Sequence, residues 1–523
     1  MEQTLPERKV VAAIDIGATG IRLTIAELEG DRQRILESAK QPINLGRDTF
    51  LRGRIQPETV EECVRILKGF RTLMREYGIR QESQVKAIAT SSLREAENRD
   101  TVLNRIYIAT QINVTLLDQS EVNRLLYMAV RPALVESKSW GKSDALLVEV
   151  GGGSTQVLLF QGGQVTFSET YALGSLRLRE ILEDYGPPAS RTIQVLEQEV
   201  QHAVDQIHST CPIPKAPILI AMAGVAKLAA SQILPSWEEK PLGVLSFKAF
   251  SQFTQEILAV PIDELVARFH ITYPEAETVA PGLLAYLQLG KAFAVQEVWV
   301  PQVSLRDGLL REMAFPTLWS EELGQQVLRS AQTLGERFHF NGRHGSHVAS
   351  LCLSLFQELQ PEHLLGNHDA LLLQVAAILH DIGLVISNRS HHKHSYYLLS
   401  NSDLFGLSQA DMRCVALVSR YHRRGAPSMA HPEYAELDRE RRMVISKMAA
   451  ILRVADALDR NHLQQVQQIR CSREGGQLAI TIWGLEDLSL ERFALQQKGS
   501  LFEEVYGLPV ILRQGRGLRS SAP

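Results

Sequence analysis

The chain has no paired-cysteine motif: Cys63, Cys211, Cys352, Cys414 and Cys471 stand alone, with no CxxC and no even framework. This excludes a zinc ribbon and a disulfide scaffold, and it leads us to expect reduced core thiols and a cytoplasmic location. A cationic surplus is also missing. Against 59 Asp and Glu stand 55 Lys and Arg, for a formal charge of -4. Bulk attraction to nucleic acid or to an anionic membrane is thereby excluded, so a polyanion has to be met by a local basic patch. Met1 to Lys9 are polar, with Pro6 and no apolar run, so no secretory leader is expected. The most apolar long stretch, Ala216 to Leu234, is interrupted by Gly224 and Lys227 and reads as too short and broken to span a bilayer.

Against these absences stand two stretches 134 residues apart, Asp15-Ile16-Gly17-Ala18-Thr19-Gly20 and Glu149-Val150-Gly151-Gly152-Gly153-Ser154-Thr155-Gln156. Each sets an acid just ahead of glycines after an apolar strand. A carboxylate at a strand end can hold Mg²⁺, and glycines let backbone N–H groups close on phosphate oxygens with no Cβ in the way. Val10 to Ile14 and Ala145 to Val150 read as strands entering the turns, and Ile21 to Ala26 and Val157 to Phe160 as strands leaving them. A strand thus follows each turn, where a Walker or Rossmann loop requires a helix. The pattern suits the β-hairpin phosphate loops of the actin and sugar kinase architecture.

With 523 residues, 45% hydrophobic and 22% charged, the chain is expected to be globular with three or four domains. Strand and helix signals alternate over residues 10 to 118, restart at Ala145 and end near Pro316. Amphipathic helices follow from Glu322 to about Leu458. The tail regains strand character at Val466 to Cys471, Leu478 to Trp483 and Leu508 to Leu512, around a helix at Leu490 to Val505. The expected fold class is α/β: a duplicated ribonuclease H-like, two-lobed half over residues 1–130 and 131–315. An all-α domain over 316–463 and a small α+β part over 464–523 complete it. A ligand belongs in the cleft between such lobes.

Five blocks in order then carry a resemblance: Ala13-Ile14-Asp15-Ile16-Gly17, Ala89-Thr90-Ser91-Ser92-Leu93-Arg94-Glu95-Ala96, Arg124-Leu125-Leu126-Tyr127, Gly151-Gly152-Gly153-Ser154-Thr155, and Ser304-Leu305-Arg306-Asp307-Gly308-Leu309-Leu310-Arg311-Glu312. Over essentially its whole length the chain resembles the exopolyphosphatase and guanosine pentaphosphate phosphohydrolase family. The resemblance implies release of terminal phosphate from inorganic polyphosphate or a guanosine polyphosphate, with Mg²⁺ at Asp15 and Glu149. It also implies phosphate held by Gly17, Thr19, Arg94, Gly151, Gly152, Gly153, Ser154, Thr155 and Gln156, and a homodimer.

This chain departs from the family at several positions. The family's Ser-Asn-Ser is Ala18-Thr19-Gly20. The slot of the water-activating glutamate holds Val122, leaving Glu121 next to it as a substitute base. The loop acid is Glu149 in place of Asp, and the trailing Glu is neutral Gln156, which cannot act as a base.

In the helical half, His380-Asp381 closes an apolar run and resembles the pair of HD phosphohydrolases. The metal set implied is His347, His380, Asp381 and Asp456, for Mn²⁺, Fe or Zn²⁺. Arg389, His391, His392, Lys393, His394, Arg423 and Arg424 form local basic runs suited to a polyanion channel. Three functions are therefore expected to compete: a terminal phosphohydrolase, a polyphosphate- or alarmone-binding regulator without turnover, and a metal phosphohydrolase acting through the His-Asp pair.

Overall fold

A computed structural model describes residues 8–30, 32–137, 140–179, 189–211, 216–237, 240–314, 321–423, 425–483, 485 and 487–515. The chain divides into two compact units, Met1–Leu318 and Trp319–Pro523.

The first unit contains two sheets built on one plan. In the first, β1 (Lys9–Ile16), β2 (Gly20–Glu29), β3 (Arg32–Pro42), β4 (Val85–Ala89) and β5 (Val114–Leu116) lie in the order β3-β2-β1-β4-β5. In the second, β6 (Ala145–Val150), β7 (Thr155–Gln161), β8 (Gln164–Tyr171), β9 (Ile218–Met222), β10 (Leu242–Ser246) and β11 (Glu297–Pro301) lie in the order β10-β11-β9-β6-β7-β8. In each, an antiparallel meander is followed by a parallel strand on the other side of its first member: β4 beside β1, β9 beside β6. β10 is an addition at one edge. The central strands β1, β6 and β7 are nearly continuous runs of apolar residues because both of their faces are covered. β3, at the edge, is mostly exposed and carries Arg32, Arg34, Glu37 and Lys40, which blunt its unpaired side.

Helices cover the sheets through regular stripes. Pro57–Glu76 starts with proline in its first turn and buries Val60, Cys63, Leu67, Phe70 and Met74 at three- and four-residue spacing. Tyr273–Ala292, capped by Thr272 and Glu275, lies over the second sheet with Leu283, Tyr286 and Leu287 fully or almost fully buried. Its Tyr286 hydroxyl accepts a hydrogen bond from Val150 N (3.0 Å) and donates to Met222 O, tying the ends of β6 and β9 together.

The second unit is helical, with a three-stranded sheet of β12 (Ile469–Glu474), β13 (Gln477–Ile482) and β14 (Val510–Gln514). Its centre is the helix Asn367–Leu379, apolar on every side because helices surround it. Asn367–Val385 is long and apolar enough to cross a membrane, yet most of it is buried in this core. The stretch singled out in the sequence, Ala216 to Leu234, instead divides into β9 and the helix Ala223–Ile233. The single helix expected at 490 to 505 is two, Ser489–Lys498 and Ser500–Tyr506, parted at Gly499. Among the described residues no cysteine is in a disulfide, and four of the five are buried.

Candidate functional sites

The two glycine turns of the first unit are the same device. Gly17 N donates to Gly20 O at 3.0 Å, and Gly151 N donates to Ser154 O at 2.9 Å. The register of each hairpin then fixes what faces the acid. Arg22 pairs with Asp15 across β1 and β2, and Gln156 pairs with Glu149 across β6 and β7. Close approach requires the glycines. A Cβ on Gly152 would meet Ala18 Cβ at 2.8 Å, and one on Gly153 would meet Phe50 at 2.3 Å.

Both turns open on one cavity of about 360 Å³ within this unit. Asp15, Gly17, Thr19, Arg94, Glu149, Gly151, Gly152, Ser154 and Gln156 line it, as expected from the sequence. Arg94 is held by a 2.6 Å bond from Nη1 to Leu117 O. Gly153 packs behind the loop, and Thr155 is buried with Oγ1 donating to Leu173 O at 2.5 Å, so its hydroxyl is already engaged. Gln156 Nε2 donates to Ser154 Oγ at 2.9 Å.

Four further cations line the cavity: Arg22, Lys40, Lys227 and Arg306. Nη1 of Arg22 and Nη1 of Arg306 each lie 3.6 Å from Asp15 Oδ2, and Lys227 Nζ donates to Gln302 O at 3.0 Å. With Arg94 the described lining has five Lys or Arg against the three acids Asp15, Glu149 and Glu275, and Lys40 is paired with Glu275. The crowding shows in the titration. Burial, then the charges of Arg22 and Arg306, bring Lys40 down to about 8. Burial, then Asp15, pushes Glu149 up to about 7, opposed by Arg22 and Lys227. Ala223 to Val225, the first turn of Ala223–Ile233, also line the cavity and turn a helix N-terminus toward it. Ala223 takes φ +74°, a left-handed backbone that costs a non-glycine residue roughly 1 kcal/mol. Two carboxylates, the Thr19 hydroxyl and phosphate oxygens make a donor set that suits Mg²⁺, which commonly binds through one or two carboxylates plus substrate.

Glu121, expected as a substitute base, has another role in the structure. Val122 lines the cavity and is 4% exposed. Glu121 is not among the lining residues. It caps its own helix, Gln119–Val135: Asp118 Oδ1 accepts from Glu121 N at 2.9 Å, and Glu121 Oε2 accepts from Asp118 N at 3.0 Å. That capping box is a reciprocal use of both side chains.

In the second unit, His380 and Asp381 end the helix Asn367–Leu379, and Asp456 comes from Arg439–Leu458. Nε2 of His380 is 3.7 Å from Asp381 Oδ2 and 4.0 Å from Asp456 Oδ1. The histidine that joins them is His344, not the expected His347. His344 Nε2 lies 3.7 Å from Asp456 Oδ1, whereas His347, one turn on, is half-buried beside the group. Spacing carries the signal. The buried stripe of Gly342–Glu358 runs Leu355, Cys352, Leu351 and Val348, and its next turn toward the N-terminus is His344. Two glycines draw the segments together: a Cβ on Gly345 would meet Ile378 O at 2.5 Å, and one on Gly383 would meet His391 O at 2.3 Å.

His391 is also reassigned. Expected to line a polyanion channel, it is buried, with Nε2 3.0 Å from Asp381 Oδ1, and His422 joins it there at 3.5 Å. Arg389 and Lys393 are exposed, while His392, His394 and Arg423 are half-buried. Arg424 lies outside the described residues.

Comparison with known proteins agrees with this architecture. Residues 24–315 match the Ppx/GppA phosphatase family, and residues 328–499 match Ppx/GppA phosphatase, domain III. A guanosine-5'-triphosphate,3'-diphosphate pyrophosphatase of Photobacterium profundum is 22% identical over 97% of this chain and 99% of its own length. That of Pseudoalteromonas translucida is 22% identical over 81% of this chain and 82% of its own. The crystal structure of an exopolyphosphatase from Cytophaga hutchinsonii shares the fold at a TM-score of 0.53 and 20% identity, covering 59% of this chain and 98% of that one. With the matched segment 24–315 spanning more than half of its length, the chain belongs to the Ppx/GppA phosphatase family.

Proposed function

We propose that the cleft of the first unit binds the terminal phosphates of inorganic polyphosphate or of a guanosine pentaphosphate and hydrolyses the end phosphoanhydride slowly. The observation that carries this reading is the cavity lining: five cations and two glycine turns around Asp15 and Glu149. Arg94 and Arg306 orient phosphate oxygens as fixed forks, while the backbone N–H groups of the turns and of the 223–233 helix hold the chain end. Asp15 and Glu149 would hold Mg²⁺, which would neutralise charge on the phosphate oxygens. Arg22 and Lys227 add to that neutralisation, and phosphoryl transfer depends chiefly on positioning and charge.

Turnover is slow because Val122 cannot accept a proton and Gln156 can only orient the attacking water. Loss of a general base lowers rates by roughly 10²–10⁴. Binding without turnover, as in a regulator, is the second reading, and Val122 in the cleft wall is what favours it. Purified protein with Mg²⁺ is expected to release orthophosphate from long-chain polyphosphate or guanosine pentaphosphate, and Arg94→Ala to remove that release. Binding of either substrate with no release above buffer would establish the second reading.

A further inference from the structure

The far end of the first sheet carries a second concentration of positive charge. The cleft lies past the last residues of β4, where Thr90, Ser91 and Arg94 line it. A separate cavity of about 540 Å³ lies at the first residues of the same strand, with Val85, Lys86 and Ala87 in its wall. Among the described residues the two linings have no member in common. The volume falls within the roughly 300–1,000 Å³ of small-molecule sites.

Four cations meet there from three segments. Arg71 and Arg75 come from the last two turns of the helix Pro57–Glu76, Arg80 from the turn that follows it, and Lys86 from β4. Glu82 is the one acid in the described lining. Arg71 is committed, since its Nη1 donates to Thr110 O at the end of the helix Arg99–Thr110. Lys86 pairs with Glu312, a carboxylate that Arg124 Nη2 also holds at 2.9 Å. Arg75 and Arg80 are exposed, and among the described residues neither side chain has a partner. A helix C-terminus attracts cations, which accounts for Arg75 at the end of its helix. It does not account for Arg80 or Lys86, which reach the same cavity from other segments. Guanidinium forks gathered around a concavity without carboxylates are donors that phosphate oxygens satisfy.

The rest of the lining is of a different kind. Met74, Ile79, Ala87 and Ile112 are buried and give the cavity an apolar floor, and Tyr107, 45% exposed, lines it too. An aromatic ring so exposed offers a face on which a heterocyclic base stacks. Gln81, Gln111, Asn113 and Thr115 add amides and a hydroxyl, which both donate and accept and so match the edge of a base. A bare phosphate or a phosphate polymer would leave the floor and the tyrosine without use.

We propose that this cavity is a second ligand site, for a nucleoside phosphate. Arg75, Arg80 and Lys86 take the phosphate oxygens, and the base lies on Tyr107 over the apolar floor. The site is independent of the cleft and of whether the cleft turns over.

The test is calorimetric titration of the full chain carrying Arg94→Ala and Arg306→Ala, which weakens anion binding in the cleft, without Mg²⁺ and with ADP or pyrophosphate as the probe. One ADP per chain is expected. Losing two charge-assisted contacts in Arg75→Ala/Arg80→Ala should weaken ADP and pyrophosphate alike by at least about tenfold. Tyr107→Ala should weaken ADP by about tenfold and leave pyrophosphate unchanged, while Tyr107→Phe binds ADP as the parent does. All three side chains are exposed, and circular dichroism confirms that each variant is folded. No ADP binding in the parent, or full binding in Arg75→Ala/Arg80→Ala, overturns the proposal in favour of solvated arginines. ADP affinity unmoved by Tyr107→Ala overturns the assigned ligand class.

Discussion

The cleft of the first unit and the histidine cluster of the second solve opposite electrostatic problems. In the cleft, positive groups outnumber acids and are fixed by backbone and carboxylate partners, as Lys227 is by Gln302 and Arg306 is by Asp15. The surplus is of donors, which an anion satisfies. In the cluster the rings of four histidines crowd against two carboxylates, Asp381 and Asp456, and Nε2 of His344 and His380 and Oδ1 of Asp381 are buried without a hydrogen-bond partner. Neither arrangement is visible in the overall charge of -4, because each arises from a few side chains that the fold collects from distant segments.

The sharpest way to break the comparison is Val122→Glu. If the cleft lacks only its base, orthophosphate release rises by roughly 10²–10⁴. An unchanged rate would show that the cation-rich shell no longer positions water, and the cleft would be a binding site alone. Next in size is the pH response of the cleft. The Glu149 pKa of about 7 lies above the ordinary 4.5, so the folded site favours the protonated acid. Its contribution to stability is complete below about 4.5 and is lost as pH rises through about 7. Mg²⁺ needs the ionised form, so its affinity should climb roughly tenfold per pH unit up to about 7 and then level. Calorimetric titration with Mg²⁺ checks this, and Glu149→Gln should abolish the slope.

A smaller effect is expected from Gly345→Ala, which drives a methyl group against Ile378 O. Overpacking of this kind costs about 1–3 kcal/mol, read as a lower denaturant midpoint. Polyphosphate binding by the first unit is expected to persist, and its loss would deny that the two regions are independent. The smallest effect is at Asp118→Ala, where loss of the helix cap costs about 1 kcal/mol. Phosphate release should stay level as Tm falls, and a rise would show that the freed Glu121 can reach the cleft.

Much of the first unit was legible in the sequence because its signal is local. Two hairpins with glycine turns announce themselves by an acid, a turn and alternating apolar runs. The cations of the cleft were not legible, since they depend on register and tertiary approach. Arg22 faces Asp15 only because β1 and β2 pair as they do, and Arg306 reaches the same carboxylate from the far end of the unit. His380 and Asp381 stood out as neighbours in sequence. Their partners did not, because His391 and His422 are 31 residues apart in the chain and meet only when the segments that carry them pack together. His344 was within reach: extending the apolar stripe by one turn selects it over His347.

The capping box at Asp118 and Glu121 has a consequence for how this protein can change. On the proposed reading of the cleft, a glutamate one position from Val122 looks like a ready replacement for the missing base, a single slip of the chain away. It is already committed to starting the helix that carries Val122 into the cleft wall. Any rearrangement that turned Glu121 inward would unseat the segment holding the site. On that reading, faster turnover is to be sought by substitution at Val122 itself. The neighbouring acid serves as an anchor for that position and cannot also replace it.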